Sequence, residues 1–268
     1  MINFPNAKIN LGLHITAKRN DGFHELETCM IPIPLFDALE MIPSKKMIFD
    51  TTGLPIPGDS KDNLITKAYQ LLKKDFNDIP PLHIHLHKNI PMGAGLGGGS
   101  ADAAFALTLM NNLFDLYLDD WMLEEYAAQL GSDCALFIEN LPKIATGRGE
   151  ILTPTDVNLK DDYLVLVKPP IHIGTKEAYA GVKPNAPAVI LQEVLKDKST
   201  WKEQLVNDFE KSIFPNHPSL PQIKAQLYEM GAYYAAMSGS GSTVFGLFSE
   251  KPELTKWPSE HIVFECIV

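Results

Sequence analysis

The patterning of this chain predicts an α+β fold in two halves. Extended runs of period two interleave with helical runs of period 3.6, an order that suggests an α+β sandwich. The polar stretch T-P-T-D-V-N-L-K-D-D at 153–162 reads as a linker, which puts the boundary between halves 1–155 and 156–268. At 268 residues, 45% of them hydrophobic, there is enough apolar side chain for one large domain or two modest cores.

In order, Ala7–Thr16 alternates, with Lys8, Asn10, Gly12 and His14 on one side and Ile9, Leu11, Leu13 and Ile15 on the other. That is a half-buried strand whose polar side could be a solvated sheet face or the floor of a site. Arg19–Gly22 is a turn, and Phe23-His24-Glu25-Leu26 leads into a second extended run, giving a hairpin-like pair. Prolines and glycines break 31–60 into short strands and loops. A helix follows, capped by Asp62 or Asn63, with Leu64, Ala68, Leu71 and Leu72 on one face. The strand Leu82–Leu86 carries His83, His85 and His87 on one face; this could be a metal-binding row, but no carboxylate or cysteine stands nearby in sequence to complete a ligand set.

Then comes P-M-G-A-G-L-G-G-G-S-A-D, Pro91 to Asp102, with five glycines among the seven positions from Gly93 to Gly99. Residues without a Cβ let backbone N–H groups approach a ligand, and the start of a helix leaves further N–H groups unpaired, so the natural guest is phosphate. The run lacks the lysine of a P-loop. Gly93, Gly95 and Gly98 spell G-x-G-x-x-G, with Asp115 at the spacing of a ribose ligand, so a dinucleotide loop and a plain connection are the alternatives. Ser100 is placed to cap the following helix, with Asp102 in its first turn and Ala103, Phe105, Ala106, Leu109, Met110 and Leu113 as its apolar stripe. Asp119 or Asp120 caps the next helix, which ends at Gly131, and Asp133 follows directly.

Beyond the linker, Tyr163–Val167 is a strand, 175–181 and 186–197 are short helices, and 200–213 and 219–230 are amphipathic helices. Ala232–Met237, Thr243–Phe248 and His261–Val268 are strands. Ser238-Gly239-Ser240-Gly241-Ser242 between the first two is either a hairpin loop or a second anion-binding nest.

The formal charge of −10 and pI near 5.2 argue against nucleic acid or an anionic membrane as partner. Neither a leader nor an apolar run approaching ~18 residues is visible, so the expectation is a soluble, cytoplasmic protein. Cys29, Cys134 and Cys266 are too scattered for a disulfide framework or a zinc knuckle and read as free thiols.

Together, P-N-A-K-I-N-L-G-L, G-x-G-L-G-G-G-S-A-D, L-G-S-D and M-S-G-S-G-S resemble the GHMP small-molecule kinases, in that family's order over most of the chain. A-K-I-N-L, D-G-F-H-E-L and D-N-L-I narrow the resemblance to a branch of the non-mevalonate isoprenoid route. The resemblance implies a ribosomal-S5-like N-terminal ATP-binding domain and a ferredoxin-like C-terminal domain. It also implies transfer of the γ-phosphoryl of ATP, with Mg2+, to the 2-hydroxyl of a cytidine-diphosphate-linked methylerythritol. Lys8 and Asp133 match the catalytic pair. Pro91, Met92, Gly93, Ala94, Gly95, Leu96, Gly97, Gly98, Gly99, Ser100 and Ala101 match the ATP loop, with Asn63 also on the nucleotide. Asn10, Phe23, His24 and Tyr179 fall to the substrate, the three rings to its cytidine. Phe23 stands where a tyrosine is commoner, and stacking needs only the ring face. No side chain is assigned to the metal, whose ligands are expected to be phosphate oxygens and water. No obligate protein partner is implied. Another GHMP kinase, a nucleotide sensor without transferase activity and a nicotinamide dehydrogenase are the rivals.

Overall fold

The structure is a computed structural model describing residues 1–186, 189–254 and 256–268. It forms two compact units from interleaved segments: Met1–Lys8, Leu35–Met92 and Gly97–Leu141 in the first, Ile9–Pro34, Gly93–Leu96 and Pro142–Val268 in the second.

The first unit holds strands β1 (Ile2–Asn3) and the start of β2 (Asn6–Lys18). After β3 (His24–Phe36), which lies mainly in the second unit, come β4 (Ala38–Pro43), β5 (Ile48–Gly53), helix α1 (Leu64–Asp75), β6 (Leu82–Lys88), α2 (Gly98–Leu113), α3 (Asp120–Leu130) and α4 (Leu136–Glu139). Its sheet runs β1-β4-β6-β5, with β6 antiparallel to β4 and parallel to β5. Among the described residues no strand joins this sheet after α2, so they do not make the second crossover a dinucleotide fold requires. Asn63 caps α1 as expected, its Oδ1 accepting the Ile65 N–H at 2.9 Å. The helix start after the glycine run differs from expectation. Gly97 in the left-handed region is the N-cap and α2 begins at Gly98, so Ser100 lies inside the first turn and Asp102 in the second. Backbone geometry open to glycine outcompetes the serine cap. Of the expected stripe Ala103, Ala106, Leu109 and Met110 are buried and Phe105 and Leu113 only partly so, while Ala104 and Leu107 are buried too, so α2 is enclosed on more than one side.

The second unit continues with β7 (Lys143–Thr146), β8 (Ile151–Pro154), β9 (Tyr163–Lys168), α5 (Thr175–Ala180), α6 (Leu191–Val194), α7 (Trp201–Gln204), α8 (Asp208–Ile213), α9 (Ser219–Glu229), β10 (Tyr234–Met237), β11 (Val244–Phe248) and β12 (Ile262–Ile267). Its sheets run β2-β3-β7-β8 and β10-β11-β9-β12. Pro32 and Pro34 interrupt less than expected because β3 pairs with β7 only from Thr28 to Met30, leaving them beyond that ladder. The 186–197 helix reduces to α6, and its residues 187 and 188 lie outside the described set. The 200–213 helix is split. Val206 O accepts the Leu13 N–H at 2.8 Å, and Asn207 caps α8 through the Phe209 N–H at 3.0 Å. Two turns of helical propensity give way to one bridge and a buried cap.

Candidate active site

The polar side of β2 is buried and not a solvated face: Lys8, Asn10 and His14 are 3%, 2% and 5% exposed. Lys8 belongs to the first unit. Its Nζ lies 3.4 Å from Oδ2 of Asp133, whose side chain keeps 32% of its surface accessible. A Cβ on Gly97 would lie 3.0 Å from Lys8 Cγ and 3.1 Å from Phe137 Cζ, so a side chain there would press the lysine stem out of place along the helix start. Asp133 sits in the turn between α3 and α4, closed by the Cys134 N–H on Gly131 O at 3.1 Å. Burial pushes the Cys134 thiol up to about 12, while a hydrogen bond with Ser100 pulls the other way; the residue after the aspartate is thereby tied to the glycine run.

In α2 the Ala101 N–H donates to Gly97 O at 2.9 Å, so the N–H groups of Gly98, Gly99 and Ser100 precede the helical ladder. Beside them is a cavity of about 270 Å³, where Asn63, Met92 and Gly99 meet Phe49, Thr51 and Asp102. Sequence reasoning assigned the first three and missed the rest. The walls come from a strand and a proline-glycine loop with no spacing signature, and Asp102 read only as a helix-start acid.

Beneath this helix start lies a group that sequence reasoning also missed. Lys88 Nζ bonds Asp37 Oδ2, and Asp102 Oδ2 at 2.6 Å. The other oxygen of Asp37 accepts the N–H groups of Asn89 and Ile90 at 2.6 and 2.8 Å, fixing the chain as it leaves β6 for the glycine run.

In the second unit the two glycine-rich turns are built against each other. Ser238 Oγ donates to Gly95 O at 2.8 Å and the Thr243 N–H to Ala94 O at 3.2 Å. A Cβ on Gly95 would lie 2.0 Å from Ser238 O, and one on Gly239 3.4 Å from Asn10 Oδ1. The serine-glycine turn is thus a β10–β11 hairpin connection that also supports the loop. Asn207 braces it, donating to Met237 O at 2.7 Å and Gly239 O at 2.8 Å, while Asn10 donates to Thr28 Oγ1 at 3.0 Å.

The expected substrate rings divide. His24 and Tyr179 stack, centroids 5.0 Å apart and 24° from parallel, and Tyr179 meets Phe209 edge-on at 4.9 Å. Phe23 is 55% exposed, with the Arg148 guanidinium 5.2 Å over its ring. The histidine row of β6 pairs with its neighbour β5: His83 with Asp50 at 2.8 Å, His85 and His87 with Thr52 at 3.0 and 2.9 Å. Among the described residues no three His, Cys, Asp or Glu side chains gather in a way that could hold a metal.

Known proteins resemble this chain over nearly its whole length. Residues 63–139 match the family model for the GHMP kinases N terminal domain and 190–256 that for the GHMP kinases C terminal. A 4-diphosphocytidyl-2-C-methyl-D-erythritol kinase of Bacteroides fragilis is 54% identical over 265 residues, 97% of this chain and 96% of the relative. This chain belongs to that kinase family. A relative of the same name from Cytophaga hutchinsonii is 52% identical over 94% of both chains. A crystal structure of 4-(cytidine 5'-diphospho)-2C-methyl-D-erythritol kinase superposes with a TM-score of 0.79 at 31% identity, covering 92% of this chain and 90% of its own. The mevalonate kinase of Methanococcus jannaschii, at a TM-score of 0.70 and 13% identity, shares the fold. The chain is therefore a small-molecule kinase with the GHMP fold, and ATP is its phosphoryl donor.

Proposed function

We propose that this kinase transfers the γ-phosphoryl group of ATP to the 2-hydroxyl of 4-diphosphocytidyl-2-C-methyl-D-erythritol, a cytoplasmic step of the non-mevalonate route to isoprenoid precursors. The observation that carries the catalytic part is the pair of buried Lys8 and accessible Asp133 at 3.4 Å, with the lysine stem against Gly97.

Phosphoryl transfer asks a protein to align the acceptor and to neutralise charge on the moving group. The N–H groups at the start of α2 and the glycine run from Pro91 to Ala101 receive the phosphates, and the cavity at Asn63 receives the base. Lys8 contributes a compact positive charge where the acceptor oxygen meets the γ-phosphate. Asp133 orients the hydroxyl and accepts its proton as the O–P bond forms; a loose transition state needs only a weak, late base. Mg2+ would come with ATP, with phosphate oxygens and water as its expected ligands, and would supply charge neutralisation. Asn10 contacts the acceptor, and Phe23, His24 and Tyr179 recognise the cytidine, where the stack of His24 on Tyr179 supports a flat ring as guest. The halves 1–155 and 156–268 serve as the ATP-binding and C-terminal domains. The partner is this small molecule, with no nucleic acid, membrane or obligate protein; no helix among the described residues is long and apolar enough to cross a bilayer.

The test is ADP release from ATP and Mg2+ with the cytidylated alcohol, run beside mevalonate, homoserine and galactose. ADP that appears only with the cytidylated alcohol is the expected result. ADP with a different alcohol keeps the catalytic pair and removes the three rings as cytidine ligands; nucleotide binding without any turnover removes the transferase reading.

A further inference from the structure

The cluster under α2 has an odd charge. One ammonium, Lys88, faces two carboxylates, Asp37 and Asp102, and all three side chains are at most 4% exposed. Asp37 is fully engaged, with Lys88 on one oxygen and two backbone N–H groups on the other. Asp102 is not: Oδ2 meets Lys88, while Oδ1 is buried and has no hydrogen-bond partner. Asp102 forms part of the cavity wall with Gly99 and Asn63, and side chains on a helix lean toward its N-terminus, here the free N–H groups of Gly98, Gly99 and Ser100.

We propose that Asp102 takes up a proton from solvent when a nucleotide seats its phosphates at the start of α2, leaving Lys88 to balance Asp37 alone. This rests on the reading of that helix start as the nucleotide site. Ionised, the cluster carries a net negative charge directly behind the position the phosphates occupy; protonation of Oδ1 removes that charge, and the only bond formed is O–H. Burial above all, with Asp37 adding to it and Lys88 opposing it, pushes the Asp102 carboxyl up to about 7, within reach of such a change. Lys88 and Asp37 are the charges bearing on it. Asp59 and Asp62 stand in the walls of the same cavity, and Lys8, paired with Asp133, lies against Gly97. The helices packed on α2 bury no charged group: α1 buries Ile65, Thr66, Ala68 and Leu72, α3 Leu123 and Ala127, α4 Leu136 and Phe137. The buried residues of β4, also packed on α2, are Leu39 and Met41.

Nucleotide affinity should therefore fall as pH rises through 7, because the protonated form binds anions best, by up to about tenfold per pH unit until the bound-state pKa is reached. Calorimetric titration of the whole enzyme with ADP at pH 7.5, in two buffers of different ionisation enthalpy, counts the protons taken up. Wild type should take up on the order of half a proton more than Asp102→Asn, whose ADP affinity should be nearly flat across this range. The titration of ADP itself cancels in that difference. Equal uptake by both proteins, with ADP bound, overturns the proton linkage alone. No ADP binding by wild type overturns the nucleotide reading and this inference with it. Should Asp102→Asn fail to fold, the infrared difference spectrum of wild type with and without ADP decides: a new protonated-carboxyl band supports the proposal and its absence overturns it.

Discussion

Lys8 and Lys88 are both nearly inaccessible, at 3% and 1% exposed, yet their carboxylate partners are built differently. Asp133 stands 3.4 Å from Lys8 with a third of its side chain open; Asp37 and Asp102 are enclosed around Lys88, and the Asp102 contact closes to 2.6 Å. A buried ammonium tolerates either partner. What differs is whether the anion can meet a substrate. An open carboxylate beside a buried cation can meet an acceptor directly, whereas an enclosed one cannot, and removing its cation strands a charge in a poor dielectric.

The contrast breaks first at Lys88. Lys88→Met leaves two buried carboxylates without a cation, and urea unfolding at neutral pH should lose about 3–5 kcal/mol. Lys8→Met should cost far less stability, since Asp133 can turn to water, and instead lower kcat by about 10²–10³-fold. Equal stability losses would erase the distinction. Asp133→Asn should lower kcat by about 10²–10⁴-fold with a melting temperature close to wild type; near-full turnover with an unaltered pH profile would remove it from the mechanism.

The pH dependence of stability sharpens the same contrast. Asp102 has a folded pKa raised to about 7, above its ordinary carboxyl value, so the folded state holds its proton more tightly than the unfolded one. Its contribution to stability is therefore fully present below pH ~4 and is lost as pH rises toward 7, opposite in sign to a salt-bridged surface carboxylate. Thermal melts should show Asp102→Asn gaining on wild type as pH rises across that window; parallel curves would mean the carboxyl titrates normally.

The smallest effect is at the glycines beneath each lysine. Gly97 (φ +70°) faces Lys8, while a Cβ on Gly98 would meet Ile90 Cγ2 at 2.8 Å and Lys88 Nζ at 3.1 Å. Gly97→Ala should cost about 1–2 kcal/mol from its left-handed backbone and displace Lys8, lowering kcat more than Gly98→Ala does. A larger kcat loss in Gly98→Ala would shift the importance to the buried cluster.

Much of this was legible because it is local. Five glycines before an alanine-rich run state a loop opening a helix, Asn63 before Leu64 states a cap, and a lysine and an amide two residues apart on an alternating strand must share a side. Family motifs added Asp133, whose own surroundings say only that a helix has ended. Other features were misread for a local reason too: Ser100 has the chemistry of a cap, but the cap goes to whichever residue tolerates the backbone angle, and Gly97 does.

The sequence by itself therefore determined the α+β class, the glycine-rich loop that opens a helix, the strand face that carries Lys8 and Asn10, and the kinase family. Only the tertiary structure decided that this strand face is buried, that Asn207 interrupts a helical run to brace the serine-glycine turn, and that Lys88 finds Asp37, 51 positions away, and Asp102, 14 positions away. Periodicity and caps record interactions within a few residues. A charge cluster assembled across such separations leaves no spacing in the chain, because its geometry is set by how β4 pairs with β6 and packs on α2.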